Sequence, residues 1–218
     1  MTPKLSAGIG TFTATGNFDV QGNAISLLYG DSYKRQTDLT GKNYAFYQLF
    51  NGNTKVVNAE NLSLPTTTLV DGCYGKMFNG CTSLVTAPEL PATTLAGYCY
   101  GYMFNGCTNL TTAPELPATT LAEWCYNRMF QGCTNLVSAS ELPATTLVNS
   151  CYVNMFNGCR SLNYIKAMFT TTPSTSYTNS WVSGVSATGT FVKNSAAQWN
   201  VTGIHGIPTG WTVQTASE

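Results

Sequence analysis

The sequence predicts a short α/β repeat solenoid of short parallel strands and short helices, capped at both ends. Three observations predict it. Cys-Tyr-x-x-Met-Phe-x-Gly-Cys occurs at 73–81, 99–107, 125–133 and 151–159, always 26 residues apart. Between these blocks runs Ala-Pro-Glu-Leu-Pro-Ala-Thr-Thr-Leu at 87–95 and 113–121, and again with Ser for the first Pro at 139–147. The ends, 1–43 and 166–218, do not share the repeat. A fixed period of about 20 to 50 residues marks a stacked array, because one such unit cannot bury its own apolar face.

Residues 1–43 contain alternating, strand-like pieces at 10–15, 18–20 and 25–29 and read as a β-rich N-terminal cap. The repeats then occupy 44–165. Their first unit is degenerate: Leu49 to Asn53 matches Met77 to Cys81, and Leu64 to Leu69 matches Leu90 to Leu95. The two matches differ in offset, so this unit carries two extra residues near Glu60 to Leu62. Residues from Ser161 to Ile165 start one more unit, which decays into a Thr/Ser-rich stretch at 170–180. Trp181, a strand-like run at 189–193 and the segment 206–213 read as a C-terminal cap within 166–218.

Within a unit, the Cys block predicts a short helix. At 100° per residue Cys99, Tyr100, Met103 and Phe104 fall on one side, and Gly106 is a helix stop. Residues 110–113 predict a short strand ended by Pro114, and 119–121 a second one. Pro114 and Pro117 have no N–H for a ladder and so bound these strands.

These residues carry a resemblance. Met103 to Leu110, Met-Phe-Asn-Gly-Cys-Thr-Asn-Leu, and the Leu116–Pro117 pair resemble the BspA-like leucine-rich repeats of Bacteroidetes surface proteins, over about residues 45–165. Methionine stands at 77, 103, 129 and 155 where that pattern usually has alanine, which predicts a wider core layer. The resemblance implies a secreted or cell-surface protein that acts in adhesion and protein binding, with no catalytic role. It is uninformative about the ligand.

Composition restricts the function classes. Hydrophobic residues make up 43%, enough for a core, while charged residues are only 9% and balance at 10 of each sign. A nucleic-acid partner needs a basic stripe to displace counterions, and none is present. No run approaches the roughly 18 apolar residues of a membrane helix, so no membrane insertion is expected. No export signal is visible at the start. An extracellular or cell-surface location is still expected, because the chain begins in what reads as a β-rich element.

The chemistry-bearing residues favour bland roles. The eight cysteines all sit at repeat positions. Stacked units place Cys81 and Cys107 about one sheet spacing apart, near enough to bridge. Parallel stacked side chains point the same way, so buried, reduced ladders are expected instead. The cysteine spacing and the lone His205 do not suit zinc or a thiolate nucleophile, and His205 is expected as a solvated cap residue. Glu89, Glu115 and Glu141 form a like-charge ladder expected to splay into solvent. No cofactor, metal site or enzyme follows from these residues.

Variation among units points to a contact face. At positions −1, +2, +3 and +6 from the first Cys of each block the residues differ and are expected to face outward. Tyr98, Tyr102, Trp124 and Arg128 then form one aromatic and cationic patch, the candidate ligand-binding residues. The strand face offers a uniform alternative: Val85, Thr111 and Val137 beside Thr86, Thr112 and Ser138. The leading expectation is a protein ligand on a host or cell surface. A carbohydrate ligand is the alternative, since aromatic rings stack on sugars, and a structural spacer is a third.

Overall fold

The computed structural model describes residue 12 and residues 14–36 and 38–216. Among these residues the strands are short and every strand pair is parallel. Strand β1 (Phe18–Asp19) precedes β2 (Gly22–Asn23), helix α1 (Ser26–Tyr29) and a 3-10 turn at Gly30–Arg35. Strands β3 (Val56–Asn58) and β4 (Leu62–Ser63) pair with β1 and β2 respectively. Near the end, β5 (Tyr164–Ala167), helix α2 (Thr175–Thr178), β6 (Thr190–Lys193) and β7 (Thr212–Thr215) follow, with β5, β6 and β7 in one sheet in that order. The predicted α/β character is present in this coarse sense: small sheets of short parallel strands, and few helices.

The Cys blocks are not helices, against expectation. From Val70 to Cys81 the backbone runs as overlapping turns whose N–H groups divide into two sets. Those of Cys73, Gly75, Met77, Asn79 and Cys81 each donate to the carbonyl three residues back, at 3.0–3.3 Å. Those of Gly72, Tyr74, Lys76, Phe78 and Gly80 donate instead to Gly97, Cys99, Gly101, Met103 and Asn105 in the next unit, at 2.7–3.0 Å. A helix would spend every N–H on itself; here half of them tie one unit to the next. The geometry needs a left-handed residue at every fourth position, and Gly72, Lys76 and Gly80 have φ of +60°, +56° and +74°.

Side chains stack the same way. Phe46, Tyr74, Tyr100, Tyr126 and Tyr152 form one ladder, and Phe50, Phe78, Phe104, Phe130 and Phe156 another. Successive ring centroids lie 5.3–5.9 Å apart with planes within 3–14°. All four block methionines are fully buried beside them, as are Leu84, Leu110, Leu136 and Leu162.

The eight cysteines are free and buried. The second Cys of each block has a specific partner. Cys81, Cys107, Cys133 and Cys159 donate their thiols, at 3.0–3.1 Å, to the carbonyls of Phe50, Phe78, Phe104 and Phe130 in the preceding unit. A small, weakly donating side chain suits this buried gap. Burial pushes the thiols of Cys73, Cys81 and Cys159 up from 9.0 to about 12 and that of Cys151 to about 11. Raised folded values stabilise the protein fully below the unfolded thiol value, and that stability is lost as pH rises through the folded values. Unfolding midpoints are therefore expected to fall steeply above about pH 9. At pH 8 a thiol reagent should titrate few groups in the native chain and about eight in denaturant without reductant. No reactive thiols in unreduced denaturant would show disulfides instead.

The strands expected inside the units shrink to single bridges, Thr68 to Thr94, Thr94 to Thr120, and Thr112 to Ser138. Pro88, Pro114 and Pro117 have no ladder donor and limit pairing in their units, but Ser138 and Tyr164 also share only a single bridge with Ser140 at the proline position. Where Lys166 takes the position of Pro114, the strand extends to the full four residues of β5. Of the N-terminal expectations, the piece at 18–20 is β1, but 25–29 is helical through α1 rather than extended. Half of the piece at 10–15, residues 10, 11 and 13, falls outside the described residues.

Both ends cover the stack. Phe12 lies 5.4 Å from Phe50, and its carbonyl accepts from Asn53 Nδ2 at 2.5 Å. Phe12 thus takes the place of a preceding Phe, and Asn53 that of a Cys thiol. At the other end, Tyr152, Asn154, Phe156 and Gly158 donate to Tyr177, Asn179, Trp181 and Ser183, so 177–184 is a further turn layer. Its own next partner is a loop: Ser180 N–H donates to His205 Nδ1 at 2.9 Å. His205 is half-buried and closes the layer, rather than being the solvated residue expected.

Candidate functional site

Left-handed residues stand at positions −1, +3 and +7 of each block, and +7 is always glycine. At −1 stand Tyr44, Gly72, Tyr98, Trp124 and Ser150, with φ of +55° to +60°. At +3 stand Gln48, Lys76, Tyr102, Arg128 and Asn154, with φ of +54° to +62°. These columns point outward, as the sequence predicts for Tyr98, Tyr102, Trp124 and Arg128. Column +2 does not. Gly75, Gly101 and Asn127 are buried, because in the turn geometry this position faces the neighbouring unit. Gly72 and Ser150 are buried as well, so column −1 opens to solvent only where a large side chain reaches out.

The four predicted residues come together. Tyr98 and Tyr102 lie 6.0 Å apart, and the Arg128 guanidinium sits 5.4 Å from the Tyr102 centroid. Trp124 is 44% exposed, the largest exposed ring of the repeats. Burial first, then the phenols of Tyr47 and Tyr102, raise the Tyr98 phenol above its usual value, with Arg128 opposing.

The structure adds residues that the repeat comparison missed. Tyr44, Tyr47, Asp71, Gly97, Tyr98, Glu123 and Trp124 line one open depression of about 530 Å³. Tyr44 lies in the degenerate first unit, two residues out of register with the rest, which hid its column. Glycine makes room for the rings. A Cβ on Gly72 would meet the Tyr44 ring at 2.3 Å, and one on Gly101 the Tyr98 ring at 2.7 Å. Asp71 is held by the Gly97 N–H, which donates to its Oδ1 at 3.0 Å. Lys76 Nζ lies 5.8 Å from the Tyr47 centroid and 5.3 Å from that of Tyr102.

The alternative row is also outward. Val85 and Val137 are 42% and 47% exposed, and Thr111 and Thr112 are exposed beside them. Of the glutamate ladder, Glu89 and Glu115 are exposed, while Glu141 pairs with Lys166 at 2.7 Å. Among the described residues no three His, Cys, Asp or Glu side chains gather as metal ligands, and no helix is long and apolar enough to cross a membrane.

Among the described residues Asn127 is the exception in a well-satisfied structure. It is 2% exposed, and its Nδ2 has no hydrogen-bond partner. A buried donor left unpaired costs about 1–3 kcal/mol. Asn127→Ala is expected to raise stability by about 1 kcal/mol in urea unfolding, since glycine serves at the same position in the two preceding units. A loss of that size would show that the amide carries a bond the chain needs.

Comparison with protein-family models, with curated proteins and with solved structures finds no match.

Proposed function

We propose that the chain is a capped leucine-rich-repeat solenoid of the BspA-like kind, acting as a non-catalytic recognition and adhesion module on a cell surface. The ligand is carried on a host or cell surface and meets the face of Tyr98, Tyr102, Trp124 and Arg128. One observation carries this reading: large aromatic residues occupy left-handed positions that glycine or asparagine fills in sister units. A left-handed L-residue costs about 1–2 kcal/mol relative to glycine. Gly72 shows that column −1 accepts glycine, and Asn154 that column +3 accepts asparagine. The architecture explains the positive φ, since every unit has it, but it does not explain the choice of Tyr and Trp. Exposed rings held at a conformational cost are what a contact surface requires. Stacked units between two caps, with identical core residues and divergent outward ones, support the solenoid reading.

The test is adherence of the isolated chain to arrayed matrix proteins, glycans and cells. Trp124→Ala is expected to weaken binding by about 2 kcal/mol or more. Its thermal stability should change by less than about 1 kcal/mol, because the ring is 44% exposed and alanine keeps the same left-handed Cβ. Unchanged binding in Trp124→Ala/Tyr102→Ala would move the contact to the row of Val85, Thr111 and Val137.

A further inference from the structure

The outward face is ordered in three parallel rows. Units are bonded in register: Gly72, Tyr98 and Trp124 donate to Gly97, Glu123 and Asn149, and Lys76, Tyr102 and Arg128 to Gly101, Asn127 and Val153. Position −2 therefore forms one column, −1 the next and +3 a third. The first carries the carboxylates Asp71 and Glu123, both exposed, on either side of Gly97. The second carries the rings of Tyr44, Tyr98 and Trp124, with Gly72 lying under Tyr44. The third carries Lys76 and Arg128 on either side of Tyr102. Acceptors thus run along one edge, donors along the other, and aromatic surface lies between.

Each ligand class meets this pattern differently. A cation is drawn to the carboxylates but repelled by Lys76 and Arg128, and an anion meets the reverse. Two charges of each sign cancel across the face, as 10 of each cancel across the chain. A hydroxyl group suits both edges, because it donates to a carboxylate and accepts from an ammonium or guanidinium. The apolar C–H face of a pyranose suits the rings between. The dimensions fit a chain of such units. From Tyr44 to Trp124 are three layer steps, and the neighbouring core ladder measures these at 5.5, 5.8 and 5.9 Å.

Resting on the recognition reading above, we infer that the ligand is a neutral oligosaccharide laid along the stack over the depression of Tyr44, Asp71, Tyr98, Glu123 and Trp124. Its rings pack on the aromatic row, and its hydroxyls bridge the acidic and basic rows. Nothing is cleaved. Asp71 serves as a fixed acceptor, oriented by the Gly97 N–H.

The experiment uses the full chain on an array of neutral oligosaccharides (glucans, mannans, galactans and N-acetylhexosamine oligomers) beside sialylated and sulfated ones. The strongest neutral binder is then titrated calorimetrically at lengths from one to six units. Affinity should rise with length and level off at about three to four units, the span of the four layers from Tyr44 to Trp124. Trp124→Ala and Tyr44→Ala should each weaken binding about tenfold or more, and Asp71→Asn about threefold or more, with Thr111→Ala unchanged. The absence of Trp124-dependent binding to any neutral glycan overturns the inference, as does binding confined to charged ones. If arrayed proteins are then bound in a Trp124-dependent way, the recognition reading stands and only the glycan falls. If no binding depends on Trp124 or Tyr102, the recognition face itself is wrong.

Discussion

Phe104→Ala is expected to lower stability by roughly 3–5 kcal/mol. Phe104 is fully buried, with its ring centroid 5.7 Å from Phe78 and 5.6 Å from Phe130. Removing the ring opens a cavity between two layer interfaces at once. The backbone bonds are untouched by the change: its N–H still donates to Met129, and its carbonyl still accepts from the Cys107 N–H and the Cys133 thiol. The loss is therefore a measure of ring stacking and cavity alone. In a stack whose units contact only their neighbours, a central defect also weakens cooperation between the halves. Denaturant unfolding should then show a lower midpoint and a smaller slope, as the two halves begin to melt separately. A loss below about 1 kcal/mol would mean that the ladder of bonds between units, not the rings, holds the stack.

Much of this was legible in the sequence, and the reason is the repeat. The period places Cys, Tyr, Met, Phe and Leu at identical positions, and those positions are the core. Their local conformation was not legible. Cys73 with Tyr74 and Met77 with Phe78 are buried as adjacent pairs, and Cys81 follows at the same four-residue step. Over nine residues that spacing is nearly the same as one face of a helix with 3.6 residues per turn. The distinguishing signal was weak: Gly72 and Gly80 hint at turns, but Tyr98 and Trp124 occupy the left-handed position of Gly72, and Tyr102 and Arg128 that of Lys76, without any glycine. The error had a limited effect on the site. A helix and a turn ladder agree that large side chains at −1 and +3 face outward and disagree on +2, so Gly75, Gly101 and Asn127 were misplaced, as were the small, buried Gly72 and Ser150 at −1. The carboxylates Asp71 and Glu123 were missed because they stand at −2, and the comparison reached back only to −1. The turn layer at 177–184 was missed because only its glycine survives from the block. Thr178, Trp181 and Val182 stand where Tyr152, Met155 and Phe156 stand one unit earlier.

Trp181 is where the stack ends, and its loss should act differently from that of Phe104. Its ring is fully buried against Tyr152, Phe156, Phe169 and Phe191, at centroid distances of 5.8–6.2 Å. Its indole N–H donates to the Gly206 carbonyl at 2.9 Å, tying the turn layer to the loop that carries His205. Trp181→Ala removes the largest fully buried side chain and leaves the Gly206 carbonyl without that donor, for a loss of about 3–5 kcal/mol. The damage lies at one end, and an end unit has only one neighbour to weaken. Hydrogen exchange should therefore show protection lost across 177–216, including β6 and β7, while amides from 73 to 133 keep theirs. Phe104→Ala should instead lower protection on both sides of its own layer. Uniform loss of protection in Trp181→Ala would mean that the chain unfolds as a single unit. The end layer would then be part of one cooperative core rather than a cap, and the separate melting expected of Phe104→Ala would fail with it.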